Sequence, residues 1–150
     1  MKQLPLKVKE LNKEIEHYGI SYHKKDHAVI VEDEKYKLIL VNKKPVFFYY
    51  QDKIVPTLKL LQEKEVLKTI TVDMGAVKFV INGADIMRPG IVEIENDIKQ
   101  NDFIVIIDVN NKKPLAVGIA LLNSEEMRSA TGGKVIKNIH FVGDELWRWE

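Results

Sequence analysis

A chain of 150 residues, 45% of them hydrophobic, has enough apolar surface for one ordinary domain or for two small ones. It contains no cysteine, which excludes a disulfide framework, a thiolate metal site and a thiol nucleophile. The formal charge of +1 gives no global field toward nucleic acid or an anionic membrane, so any such site must be a local patch. Residues 1–72 carry 14 Lys and Arg against 10 Asp and Glu, whereas residues 73–150 carry 9 against 12. The charged fraction of 30%, rich in Lys and Glu, is of the kind hyperthermophilic proteins show. No apolar run approaches the roughly 18 residues that span a bilayer, and no leader pattern opens the chain. A soluble, unprocessed, cytoplasmic protein is expected.

In chain order, Val8, Leu11, Ile15 and Tyr18 recur at three- and four-residue intervals and predict an amphipathic helix over about residues 6–18, stopped by Gly19. Ala28 to Val31, Tyr36 to Val41 and Val46 to Tyr50 are β-branched and aromatic runs separated by polar turns, which predicts an antiparallel meander. Pro56 stands where a helix would begin, and Leu58 and Leu61 give the next segment one apolar side. Thr69 to Val72 has strand character and leads into a helix over Gly75 to Gly83. Pro89-Gly90 inside Ile86 to Ile91 suggests a type II turn. Asp102 to Val109 and Leu115 to Leu121 predict a hairpin around Asn110-Asn111-Lys112-Lys113-Pro114. Asn123 or Ser124 caps a short helix to about Ala130, and Lys134 to Val142 and Leu146 to Trp149 are read as the last strands.

Catalytic patterns are missing. Ser21, Ser124 and Ser129 lie in no Gly-x-Ser-x-Gly elbow, and neither a P-loop nor a Gly-x-Gly-x-x-Gly run occurs. Thr131-Gly132-Gly133-Lys134 comes nearest to a phosphate loop, but it precedes a strand and reads as a tight left-handed turn. His23 and His27 have metal-ligand spacing only on a helix, and Lys24 and Lys25 between them would repel a cation. His140, in the apolar run Ile139 to Val142, suits either a structural role or a ligand contact. A binding protein with no enzyme activity, metal or cofactor is expected.

The stretch from Val72 to Ile91, VDMGAVKFVINGADIMRPGI, resembles the opening of a PUA domain, the β-rich module named after pseudouridine synthases and archaeosine transglycosylases. Gly133 to Trp147 resembles its last strands, and Pro114 to Leu121 fits between them. Ahead of this, Phe47-Phe48-Tyr49-Tyr50 and Val55-Pro56-Thr57-Leu58-Lys59-Leu60-Leu61 resemble the region before the PUA domain in the malignant T-cell-amplified sequence, or translation machinery-associated, family. The chain is identified with that family as a member of archaeal type. The resemblance implies an α+β protein: an N-terminal helix-and-meander domain over residues 1–71, then a mostly antiparallel PUA pseudo-barrel with two short helices over residues 72–150. It also implies action on the small ribosomal subunit or tRNA in initiation or recycling, with an initiation-factor-like protein partner. Neither DNA nor membrane is expected as a partner. An accessory subunit that delivers a tRNA- or rRNA-modifying enzyme, and a PUA-fold protein-interaction module, are the alternatives.

PUA domains grip RNA largely through the loop after the first helix and the last strands. Here Gly83 and Ala84 lack bulk and would admit a phosphate or splayed nucleotide, and Arg88 offers a planar fork of donors. Met87 and Pro89, with Gly90, give apolar surface for a base, Lys78, Lys134 and Lys137 add charge, and His140 completes the candidate set. The plain alternatives are a helix cap at Gly83, a turn at Pro89-Gly90, a core Met87 and solvated lysines. Lys7, Lys9, Lys13, Lys24, Lys25, Lys43 and Lys44 make the N-terminal half the more basic one, as an rRNA contact or as solvated surface.

Overall fold

The computed structural model describes residues 1–149, and these divide into two compact units between Val66 and Leu67. Among the described residues no helix is long and apolar enough to cross a membrane.

The first unit is a five-stranded antiparallel sheet in chain order: β1 (Lys2–Leu6), β2 (Ala28–Glu32), β3 (Lys37–Val41), β4 (Lys44–Tyr50) and β5 (Lys53–Pro56). The expected meander is its centre, and the flanking strands β1 and β5 are additions. Each was hidden for a physical reason. In β1, Pro5 stands opposite Val29; a proline is tolerated there because β1 is an edge. The β4–β5 turn uses Gln51 and Asp52, both at positive φ (48° and 66°), so no glycine marks the hairpin. Pro56 accordingly ends β5 opposite Phe47 and does not open a helix. Helix α2 (Leu58–Leu61) starts after Thr57, whose hydroxyl accepts the Leu60 N–H and donates to the Pro45 carbonyl.

Helix α1 (Val8–Ile15) buries Leu11 and Ile15 against Ile39, Phe47 and Leu60. It tightens into a 3-10 turn over Glu16–Tyr18 and ends at Gly19 with φ 73°. Tyr18 stacks on Phe47 at 6.3 Å and donates its hydroxyl to the Ile54 carbonyl; burial pushes its pKa up to about 12.

The second unit is a nearly closed, barrel-like sheet. Its strands are β6 (Thr69–Val72), β7 (Ile86–Met87), β8 (Ile91–Ile94), β9 (Phe103–Asp108), β10 (Pro114–Ala120) and β11 (Lys134–Phe141), in the order β7-β11-β10-β9-β6-β8. Only β6 and β9 run parallel among these pairs. Helices α3 (Met74–Val80) and α4 (Ser124–Ser129) complete it, the latter closed by a capping box between Asn123 and Glu126. Ile70, Ile104, Ile106 and Ile136 are fully buried in the core.

Three expectations are corrected. Thr69–Val72 pairs with β8 and β9, so the boundary precedes residue 67 and does not fall at residue 71. Pro89-Gly90 forms a 3-10 turn over Arg88–Gly90, and Gly90 does not take positive φ; the Ala76 methyl would lie 3.2 Å from any Cβ placed there. Leu146 to Trp149 makes no strand, because Asp144 bends the chain back by accepting the Phe141 and Trp147 N–H groups.

Gly118 marks the β10 bulge, where an added Cβ would meet Ile136 Cγ2 at 2.5 Å and the Lys137 carbonyl at 3.0 Å. Gly118→Ala should therefore cost about 1–3 kcal/mol. The check is the urea midpoint at unchanged m-value; an unshifted midpoint would show that the sheet relaxes freely there.

Candidate nucleic-acid interface

Asp73 starts α3 by accepting the Ala76 N–H at 2.9 Å, and the helix ends where Ala84 donates back to the Phe79 carbonyl at 3.0 Å. Between them Gly83 turns the chain at φ 88° and sends it into β7, which pairs with β11. Asn138 on β11 fixes this corner. Its amide donates to the Val80 and Ala84 carbonyls, each at 3.0 Å, and its backbone N–H donates to Asp85 at 2.9 Å.

The corner leaves a groove of about 500 Å³ between α3 and the segment from Ala84 to Gly90. Its wall is apolar and wet: Phe79 is 58% exposed and Met87 51%, with Ala76 and Pro89 beside them. Exposed apolar side chains gathered in one groove make it the candidate contact surface. Its charged lining is acidic, Asp73 and Asp85, and Lys134 reaches it only by pairing with Asp85 at 3.3 Å.

Of the residues expected to bind RNA, Ala84, Met87, Pro89 and Gly90 line this groove. Lys78 stands at its margin with Nζ 5.2 Å from the Phe79 ring centroid. Lys137 is exposed on β11 but does not line the groove. No open cleft separates the Gly83 loop from the Lys134 strand, because Ile86 and Met87 pair there with Ile136 and Lys134.

Three of the candidate residues are engaged within the fold. Gly83 has the positive φ its glycine suggests, but its bare Cα faces Phe141, whose Cε1 would lie 2.9 Å from a Cβ. Its smallness admits the packing of that ring. Arg88 is half-buried and spends its fork on backbone carbonyls, Nε on Met127 and Nη1 on Ile91 at 3.2 Å. His140 is 1% exposed, with Nδ1 2.9 Å from Asp144, so its ring presents no surface to a ligand.

Phe79 was absent from the expected set. The available signal was an aromatic residue lying off the Val77 and Val80 face that helical periodicity assigns to the core.

The PUA domain family model matches residues 68–142, and a second model, Domain of unknown function (DUF1947), matches residues 7–64. An uncharacterized protein of Methanocaldococcus jannaschii is 45% identical over 95% of this chain and 91% of its own length. Translation machinery-associated protein 20 of Saccharomyces cerevisiae is 36% identical over 78% and 68%, and human Malignant T-cell-amplified sequence 2 is 35% identical over 83% and 72%. The chain belongs to this family of PUA-domain proteins. A crystal structure of a hypothetical protein from Pyrococcus horikoshii matches over 98% of both chains with TM-score 0.85 and 33% identity. A chain in an H/ACA RNP bound to a substrate RNA matches 64% of this chain and 29% of its own, at TM-score 0.53 and 28% identity.

Within this PUA unit, Arg88→Ala should act on stability first, costing about 1.5–3 kcal/mol through two carbonyls that lose a charged donor. Equilibrium unfolding checks this, and an unchanged midpoint with weaker RNA binding would return Arg88 to the interface.

Asp144 supplies a pH test. Burial works against its charged form, but the His140 ring and the Trp147 and Phe141 N–H groups outweigh it and hold the carboxyl below its ordinary 3.8. A lowered carboxylate pKa adds stability that is complete above the unfolded value and is lost as pH falls through the folded one. The parent's advantage over Asp144→Asn should be full at neutral pH and fade only below the ordinary 3.8 in urea titrations. A constant advantage across that range would show that the carboxylate charge is irrelevant.

Proposed function

We propose that this chain is an RNA-binding protein of the translation apparatus, acting on the small ribosomal subunit or tRNA in initiation or recycling, with binding rather than catalysis as its activity. The observation that carries the site is the α3 groove, which exposed Phe79 and Met87 line together with two carboxylates, Asp73 and Asp85. Such a surface gives phosphate little attraction but offers a stacking face to a base, and single-stranded RNA is the nucleic acid whose bases are free to leave the stack. The PUA half, at 9 basic against 12 acidic residues, fits this mode, since stacking needs no field. The names of the yeast and human relatives support the translation role, and an initiation-factor-like protein partner belongs to the same proposal.

The likeness to a chain of an RNA-bound H/ACA particle supports a second reading, in which the PUA unit delivers a modification enzyme to its RNA. Co-purification distinguishes them. Small-subunit rRNA with initiation components fits the first reading, a modification enzyme with its RNA fits the second, and protein alone counts against both.

Phe79→Ala and Met87→Ala remove exposed side chains and should leave the fold intact. Loss of base stacking, worth about 1–3 kcal/mol, should weaken binding of tRNA or small-subunit rRNA fragments roughly 5- to 150-fold for Phe79→Ala, with the salt dependence unchanged. Parent-like affinity in both variants would remove the groove from the RNA site.

A further inference from the structure

The first unit contains a larger concavity, about 910 Å³, between the start of α1 and the loop that leads into β2. Lys7, Lys9 and Lys13 line one side and Lys24 the other, with His23 and His27 beside it. Among the described residues, Asp26 is the sole carboxylate in the lining. Both its oxygens are engaged, Oδ2 by the His23 N–H and Oδ1 by the Asn42 amide, each at 2.9 Å, and these contacts hold its pKa low. None of the four lysines makes an ion pair among the described residues. No side chain caps the α1 end that they surround.

This clustering is built, not incidental. Asn12 on α1 grips the loop twice, donating from Nδ2 to the Tyr22 carbonyl and accepting the Tyr22 N–H at Oδ1, both at 2.9 Å. The loop is then tied within itself, with the Lys25 N–H on His23 Nδ1 at 3.1 Å, and to the sheet, with the His27 N–H on Asn42 at 2.9 Å. Lys24 is thus anchored through its backbone opposite the α1 lysines. Four like charges on one ordered concavity repel each other, and placing two of them at the positive end of a helix adds to that cost. A polyanion would relieve it.

We infer that this groove is a phosphate-backbone site for RNA, separate from the base-reading groove of the PUA unit. The inference rests on the reading of the chain as RNA-binding. The chemistry favours a backbone over a single anion, because the cations are spread along an open concavity and do not converge on one point. It favours unspecific phosphate contact, because all four are lysines, point charges without the planar fork that fixes one phosphate or base edge. Affinity and sequence choice are then divided. The basic groove supplies salt-sensitive attraction, and the PUA groove takes the base.

The test is the salt dependence of binding to total tRNA and to small-subunit rRNA fragments. Each neutralised phosphate contributes a slope of about −0.7 to −0.9 in log K against log salt, so changing Lys7, Lys9, Lys13 and Lys24 together to Gln should make the slope shallower by about 3. A control carries four Gln at Lys43, Lys44, Lys53 and Lys59, exposed on the same unit but outside the groove. It should keep most of the parent slope. Circular dichroism and the urea midpoint establish that both variants fold.

A parent slope already near zero would overturn the inference, as would a folded groove variant with an unchanged slope. A control that flattens the slope as much as the groove variant would also overturn it. So would a groove variant that binds RNA like the parent but no longer binds poly-glutamate, since the face would then fit acidic protein. Phe79→Ala reads the other groove independently. Parent-like affinity there, with a flattened slope in the lysine variant, would sink the PUA groove and leave this site standing.

Discussion

A single amide, that of Asn138, ties the middle of β11 to both ends of the turn after α3, through the Val80 and Ala84 carbonyls, while the backbone N–H of the same residue holds the Asp85 carboxylate. Everything exposed at the PUA groove depends on that corner. With the turn held, the two residues of β7 can pair with β11, and Met87 is presented on the outside of the sheet edge. Phe79 and Met87 then face solvent as fixed surface, where a flexible loop would have collapsed on itself to hide them. A fixed apolar surface binds with less ordering entropy than a mobile one, which is the general advantage of preorganisation. Phe141 supports the same corner from below, pressed against the bare Cα of Gly83.

The charge in this protein is arranged against the simplest idea of an RNA-binding face. The PUA groove is lined by two carboxylates, one of them paired with Lys134, and Lys78 stands at its margin. Four lysines that make no ion pair among the described residues cluster in the other unit, around the start of α1. Stacking tolerates a neutral or mildly acidic surface because it acts through the face of the base, while phosphate attraction requires local positive charge.

Arg88 and His140 show how a side chain suited to ligand binding is used inside the fold. The fork that would grip a phosphate grips the Met127 and Ile91 carbonyls equally well, and it joins β7 and the start of β8 to α4. The imidazole, sealed at 1% exposure, orders the carboxylate that terminates the last strand. Asp144 in turn receives the Phe141 and Trp147 N–H groups and converts what reads as a final strand into a turn. Residue type gives the capacity for a bond, and only neighbours decide the partner.

The sequence by itself determined the long elements and the module they form. Periodicity placed α1 and α3, β-branched runs placed β2, β3, β4, β9 and β10, and the capping residues before α4 stood in plain order. These are local signals, written in residues close along the chain. The Val72 to Ile91 motif likewise carried the PUA resemblance, and Ala84, Met87, Pro89 and Gly90 do line the groove. Features that depended on distant partners were not legible. Strands β1 and β5 exist because a sheet edge accepts them, and the β4–β5 hairpin turns on Gln51 and Asp52, residues without a turn preference strong enough to announce positive φ. Phe79 is exposed, and Arg88 and His140 are turned into the fold, through which side of a helix or strand the tertiary structure covered. Likewise, the lysines before and after α1 share a groove only because Asn12 brings residues ten positions away onto the helix. Burial and long-range pairing are properties of the assembled fold, and no stretch of the chain encodes them alone.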